Sequence, residues 1–331
     1  MPLHVIKPGM LTTVQDLGRW GFQARGVPVA GPMDAYAHRL ANALVGNHPR
    51  AATLEITLVG PELGLDEERM IAVTGADFDM TLNDEPMTMQ TPFMAPRGSR
   101  LMFGRRLKGA RAYLAIEGGI AVPPILGSRA THVTTAMGGL EGRALKSGDQ
   151  LPMGPPKSPP QGLPEGPAQS PPKGGHYVRA DHSGPPRASE YLRTPAKLRI
   201  LPGPHLDLFP PEALRILQSM PYTIDRASDR MGFRLAGHSL GVTSGDMISD
   251  ATPMGTLQIL PSGLPMLLMA DRQTTGGYPQ IATVITADLR IAGQMAAGDT
   301  VSLSLCSPAD AMAALIAQER TLLNLEGLES P

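Results

Sequence analysis

A mainly β, turn-dense protein is what the sequence predicts, and three observations carry that prediction. The 37 glycines and 34 prolines make up about one residue in five of 331, and both residues weaken helix interiors. Apolar runs with strand character are short, each bounded by turn residues. Only three segments carry a helical pattern. At this length the chain has room for two ordinary domains, each with a core of its own.

Strands are expected first at residues 4–7, leading into Pro8-Gly9, then over 70–74, 100–103 and 111–116. A second series is expected over 198–201, 256–260, 265–270, 281–286 and 300–305. Asp34 is suited to cap a helix with Ala37, Leu40, Ala41, Leu44 and Val45 on one face, ending at Gly46-Asn47. Pro210-Pro211 starts a short helix through Gln218, and Asp310 opens a last one with Met312, Leu315, Ile316, Leu322 and Leu323 in register. Many short strands with few helices favour barrels or sandwiches over a doubly wound sheet.

Residues 152–175 differ in kind, with nine prolines and five glycines in 24 positions and only Met153 and Leu163 as large apolar side chains. Burial there cannot offset the entropy of ordering, so the stretch reads as a linker or mobile loop between a first domain at 1–151 and a second at 176–331. Each half opens with a strand into Pro-Gly and approaches its end with Gly-Asp, at 148–149 and 298–299. The spacing between these markers differs, so two related β-rich domains are expected rather than a strict repeat.

A formal charge of -1, with no basic run longer than a pair, excludes the electrostatic footprint of a nucleic-acid binder. Cys306 is the single cysteine, which excludes an intramolecular disulfide and suits a reducing cytoplasm. No apolar stretch is long enough to span a bilayer and the start shows no export leader, so a cytoplasmic protein is expected. The phosphate-loop, H-E-x-x-H, Cys-x-x-Cys and G-x-S-x-G signatures are missing. The eight histidines fall singly, so no metal site is expected. Aromatic residues, at 4%, leave little for stacking a nucleotide base.

What remains is polar residues packed among glycines. The first group runs from Thr12 through Gln15, Asp16 and Arg19, past Gly31-Pro32-Met33-Asp34, to Asn42 and Asn47. Folding roles account for the same letters: Asp16 capping a turn, Arg19 pairing with it, Asp34 capping the helix. The second, residues 228–234, sets Arg230 and Arg234 four apart around a glycine. Forked donors so placed can hold a carboxylate or phosphate, and an Asp229–arginine ion pair explains them equally. The third is a strand-to-strand loop carrying Gln273, Thr274, Thr275, Gly276, Gly277 and Tyr278. Glycines there admit close backbone approach and the side chains add neutral donors, suited to steadying an oxyanion.

In this order the segments resemble the biotin-dependent carboxyltransferase family, which takes in allophanate hydrolase subunit 2, the C subunit of 5-oxoprolinase, and carboxyltransferase subdomains A and B of urea carboxylase. The resemblance is carried by T-T-V-Q-D-L-G-R at 12–19, G-V-P-x-x-G-x-M-D at 26–34 and A-N-x-L-V-G-N at 41–47. It continues with L-E-x-T-L-x-G-P at 54–61, Y-L-A-I-E-G-G-I at 113–120 and L-G-S-R-A-T at 126–131. S-D-R-M-G-x-R-L at 228–235, Q-T-T-G-G-Y-P at 273–279 and the closing Gln294 with Gly298-Asp299 complete it.

The resemblance implies two β-barrel-like, cyclophilin-like subdomains with a few short helices. It implies a carboxyltransferase-type, B-like companion and a third, A-like component. Together these open 5-oxoproline to glutamate with ATP used by the complex, this chain being inactive alone. Its alternatives are the carboxyltransferase half of a biotin-dependent urea or amide carboxylase, or a non-catalytic regulator of a kinase inhibitor. The lysines at 7, 108, 146, 157, 173 and 197 lack Met-Lys-Met biotinylation flanks, and no region has the size of an ATP-grasp domain, so a stand-alone component of a larger complex is expected. On this reading Arg19, Arg230 and Arg234 bind carboxylate or phosphate, while Thr274, Thr275 and the backbone at Gly276-Gly277 cradle an oxyanion. Asp16 and Asp34 orient the arginines or a water, Tyr278 donates a proton or packs, and Gln15, Asn42 and Gln273 add substrate contacts.

Overall fold

Alternating apolar side chains gather the strands into two large sheets, one for each half of the chain. The computed structural model describes residues 2–156, 192–242 and 247–326. The first sheet holds β1 (Pro2–Lys7), β2 (Leu11–Gln15), β3 (Thr53–Thr57), β4 (Glu62–Leu65), β5 (Arg69–Leu82), β6 (Glu85–Met87), β7 (Phe93–Ala95), β8 (Ser99–Ile116) and β9 (Gln150–Pro152). Its order is β2-β3-β8-β4-β1-β9, with β5 pairing β8 and carrying β6 and β7. The second sheet is a closed barrel of β10 (Ala196–Pro202), β11 (Tyr222–Ile224), β12 (Gly232–Ala236), β14 (Thr256–Ile259), β15 (Pro265–Leu268), β17 (Gln280–Val284) and β18 (Thr300–Leu305). Strands β13 (Asp250–Ala251) and β16 (Thr275–Gly276) form a separate two-stranded ribbon.

The barrel closes where β10 runs parallel to β18, from Ala196 opposite Val301 to Ile200 opposite Leu305. Ala196, Leu198 and Ile200 alternate inward to meet Val301 and Leu303 in one core, as a period of two requires. The first sheet is the other of the two barrel-like units expected, a curled half-barrel that stays open. Loops cover its edges instead: the N–H groups of Thr131 and Leu145 donate to Val14 and Thr12 of β2 at 2.9 Å, and Ala121 donates to Pro152 of β9 at 2.7 Å. Edge backbone so paired is closed to further strand addition.

Two strands expected at 100–103 and 111–116 are one continuous β8. Residues 104–107 are exposed and read as a turn, but irregular register between Gly75 and Met80 of the facing β5 bends the pair without ending it. Strands β2 and β3 escaped prediction because their polar letters hide strands buried on both faces.

Of the segment expected to be a linker, residues 157–175 lie outside the described residues. Its start is tied down: Pro152 ends β9, Met153 bridges Ile120, and the Gly154 N–H donates to Gly119 at 2.9 Å.

Four helices accompany the sheets among the described residues: α1 (Ala35–Leu44), α2 (Ala213–Ser219), α3 (Leu289–Gly293) and α4 (Pro308–Glu326). Helix α2 starts after the expected Pro210-Pro211, and α4 starts before Asp310. There Ser307 is the capping residue, its hydroxyl accepting from Asp310 N at 3.1 Å while the Asp310 carboxylate accepts from Ser307 N at 3.3 Å. Although α4 follows the barrel in sequence, it docks on α1 of the first half. Leu322 is buried against Tyr36 and Leu40, and Arg39 donates to Glu319 at 2.7 Å.

Truncating a buried leucine costs about 2–5 kcal/mol. Leu322→Ala is therefore expected to speed amide hydrogen exchange along residues 308–326 while β14 and β17 keep their protection. Equal acceleration in helix and barrel would show that α4 is not held by this contact.

Candidate functional site

The site begins with the pleat of two neighbouring strands. Glu55 lies opposite Tyr113, and Thr57 opposite Arg111, in the β3–β8 pairing. Leu54, Ile56, Ala112 and Leu114 point into the core of the first sheet. The other face, carrying Glu55, Thr57, Arg111 and Tyr113, would meet water in an isolated sheet. Here all four are buried, because α1 and the second half cover them.

Glu55 is the hub of that covered face. Its carboxylate accepts from Met33 N at 2.8 Å, from the Tyr113 hydroxyl at 2.7 Å and from Arg230 Nη1 of the second half. Arg230 also donates from Nε and Nη2 to the two oxygens of Asp271 at 3.0 and 3.1 Å, and from Nη2 to the Gly31 carbonyl at 2.6 Å. Burial opposes the charge on Arg230, but Asp271 and Glu55 outweigh it and raise its pKa. Loss of one partner from such a buried ion cluster typically costs about 3–5 kcal/mol.

A second fastening runs through Gln294, which follows α3. Its Nε2 donates to Asp34 Oδ2 at 2.8 Å and to the Arg111 carbonyl at 2.9 Å, and its Oε1 accepts from Ala110 N and Arg111 N at 3.2 and 3.1 Å. Room for this amide depends on Gly109, where an added Cβ would stand 2.8 Å from Oε1. Asp34 caps α1 through Ala37 N at 2.9 Å. Burial pushes its carboxyl up to about 6, against the pull of the Gln294 and Ala37 hydrogen bonds. Arg111 reaches the other way, donating from Nη1 to the carbonyls of Gly293 and Met295 at 2.8 and 2.9 Å.

Between the halves Arg111, Arg230 and Asp271 line a cleft of about 440 Å³. Arg111 and Arg230 are its buried cations, Met10, Met231, Phe233 and Met295 supply apolar wall, and exposed Arg226 and Asp229 complete the charged lining. A concave, largely apolar space with a few convergent charged groups is the usual form of a small-molecule site.

Residues 25–305 match the family of carboxyltransferase domains, subdomains A and B. The chain belongs to this carboxyltransferase family. It is 36% identical to the C subunit of 5-oxoprolinase from Escherichia coli (strain K12) over 319 residues, which is 96% of each chain. It is also 36% identical to urea amidolyase of Lachancea kluyveri over 311 residues, 90% of this chain but 16% of that one. The solved urea carboxylase of Kluyveromyces lactis is similar with a TM-score of 0.85 at 33% identity, over all of this chain and 30% of that one.

Within the carboxyltransferase fold, the residues predicted from sequence are dispersed. Arg230 lies in the cleft and Asp34 behind it, but the Arg230 guanidinium is committed to Asp271, Glu55 and Gly31. Its partner is not Asp229, whose carboxylate accepts from Met231 N at 2.8 Å. Arg234 is exposed on β12, because Phe233 and Leu235 take the inward positions. Asp16 accepts from Gly18 N, Ser128 Oγ and Arg129 N at 3.0, 2.5 and 2.6 Å. It anchors the loop that covers β2 and does not pair with Arg19. Arg19 is buried, donating to Ala130 O at 2.6 Å, and burial lowers its pKa. Gln15 donates to Thr131 O at 3.1 Å and Asn42 to Ala51 O at 2.9 Å.

The expected oxyanion loop lies apart from the cleft lining. Thr275 and Gly276 form β16 and pair with Ala251 and Asp250. Gln273, Thr275, Gly277 and Tyr278 are exposed, and Thr274 is half-buried. Only Asp271, at the root of this loop, lines the cleft. Among the described residues no group of three His, Cys, Asp or Glu side chains is arranged to hold a metal ion, and no helix is long and apolar enough to cross a membrane.

Of the residues that build the site, Glu55, Arg111 and Tyr113 were not singled out as candidates, Asp271 stood only at the root of the third group, and Gln294 only as the close of the family pattern. A charged residue alternating with leucine and isoleucine reads as the solvent face of a strand, and nothing in period two distinguishes solvent from a second domain.

The raised Asp34 pKa has a defined sign. Well below pH 3.8 the carboxyl is neutral folded or unfolded; from there to about 6 the unfolded chain ionises first, and the folded state loses stability. The unfolding free energy of wild type minus that of Asp34→Asn is expected to fall by about 2 kcal/mol from pH 4 to pH 7. A constant difference across that range would contradict it.

Proposed function

We propose that this carboxyltransferase-family chain is the C component of an ATP-dependent 5-oxoprolinase, opening 5-oxoproline to glutamate with A-like and B-like partners in the cytoplasm. The observation that carries the reading is the end-to-end match to the E. coli C subunit, 96% of each length. The urea enzymes align over only a fraction of their own chains.

A cyclic amide is a poor electrophile whose oxygen must gain charge as its carbon is attacked. ATP overcomes this when its γ-phosphoryl group passes to the lactam oxygen and ADP leaves. Water then adds to the activated carbon and the C–N bond breaks to free the amine, leaving an acyl phosphate that a second water hydrolyses to the glutamate carboxylate and phosphate. We assign ATP to the complex and not to this cleft. Among the described residues the cleft holds one buried arginine without a carboxylate partner, Arg111, which matches one negative charge and not a triphosphate. The similarity to Kluyveromyces lactis urea carboxylase favours a second reading, the carboxyltransferase half of a biotin-dependent urea or amide carboxylase, with biotin carried by another component.

Reconstitution of the chain with its two partners is expected to give 5-oxoproline-dependent ATP hydrolysis that needs all three components and is indifferent to avidin. Avidin-sensitive, urea-dependent turnover would establish the second reading. A complete complex that hydrolyses no ATP in response to 5-oxoproline would overturn the first.

A further inference from the structure

Two arginines stand buried in the cleft, and their hydrogen bonds set them apart. Arg230 commits all three of its nitrogens, to Asp271, Glu55 and Gly31. Arg111 is not. Its Nη1 serves the carbonyls of Gly293 and Met295. Its Nε is buried with no acceptor, and among the described residues its Nη2 has no hydrogen-bond partner either. An unsatisfied buried donor is costly, most of all on a charged group.

Nε and Nη2 share one edge of the guanidinium plane, the edge that meets both oxygens of a carboxylate side-on. That plane is held before any ligand arrives. Gln294 clamps the Arg111 backbone N–H and carbonyl at 3.1 and 2.9 Å, the Nη1 bonds fix the far side, and the guanidinium carbon stands 5.7 Å from the centre of the Phe233 ring. No carboxylate of the chain forms a salt bridge with it among the described residues. The other charges lining the cleft are otherwise placed: Asp271 is engaged by Arg230, while Arg226 and Asp229 are exposed.

The geometry points to Arg111 as the carboxylate-binding residue of the cleft, taking a monocarboxylate borne on a compact ring that packs against Met231, Phe233 and Met295. That the carboxylate is that of 5-oxoproline rests on the 5-oxoprolinase reading; the subsite itself does not. Arg111 is a binding residue, so its effect falls on substrate affinity. Because its Nη1 also joins the two halves, a substitution alone is an incomplete test, and an analogue lacking the carboxylate supplies one that needs no variant.

The chain, labelled at its arginine side chains, is titrated with 5-oxoproline, acetate and 2-pyrrolidinone, the same ring without the carboxylate, while the Arg111 Nε–H resonance is followed by NMR. The resonance is expected to move with 5-oxoproline and acetate and to stay in place with 2-pyrrolidinone. In the reconstituted complex Arg111→Lys is expected to raise the KM for 5-oxoproline at least tenfold with a smaller change in kcat. A resonance that ignores every carboxylate, or that follows 2-pyrrolidinone equally, overturns the subsite, as does an unchanged KM in an active Arg111→Lys complex. A wild-type complex without 5-oxoproline-dependent ATP hydrolysis, beside an Arg111 resonance that still follows acetate, would overturn the function and leave the subsite standing.

Discussion

Everything in the cleft depends on one buried ion cluster, Arg230 between Glu55 and Asp271. Glu55 comes from an open sheet, and Arg230 and Asp271 from a closed barrel. Removing any one of the three would leave a buried charge without its partner, which costs several kcal/mol. The cluster therefore acts less as a source of net stability than as a constraint on how the halves meet. Any other docking of barrel on sheet would strand a charge. Met33 adds a shape constraint, its backbone bonded to Glu55 while its side chain joins the barrel core.

The same constraint separates the two buried arginines of the cleft. In a cleft with both, the one flanked by two carboxylates is the fastener, and the one left with carbonyl partners keeps an edge for an incoming anion. Gln294 serves both ends of this division, satisfying the Arg111 backbone and the Asp34 carboxyl that caps α1. Recognition of the ligand and docking of the halves are thus carried by adjoining atoms. A ligand that engages Arg111 also bears on the interface.

Much of the fold was legible in the sequence. Short apolar runs bounded by turn residues located β10, β14, β15, β17 and β18, and Asp34 with the apolar face of residues 37–45 located α1. Closure of one sheet and not the other was not legible, because it turns on whether loops such as 129–145 cover the edge of β2. The site was legible only in part. Arg230 and Asp34 stand out among glycines, whereas Glu55 and Arg111 look like solvent-facing positions until a second domain is laid over them. Residues picked for their density of polar letters, such as Asp16 and Asn42, turn out to tie loops together, a use that produces the same letters.

If the two halves form one unit through the Arg230–Glu55 contact, these residues must be coupled in stability. A double-mutant cycle on Glu55→Gln and Arg230→Gln, read by the free energy of unfolding, measures that coupling. One cooperative transition is expected, with a coupling of about 2 kcal/mol or more, in the range seen for contacting groups. A coupling below about 0.5 kcal/mol, the scatter expected of independent sites, or separate unfolding of the two halves in the wild type, would show that the ion cluster does not join them.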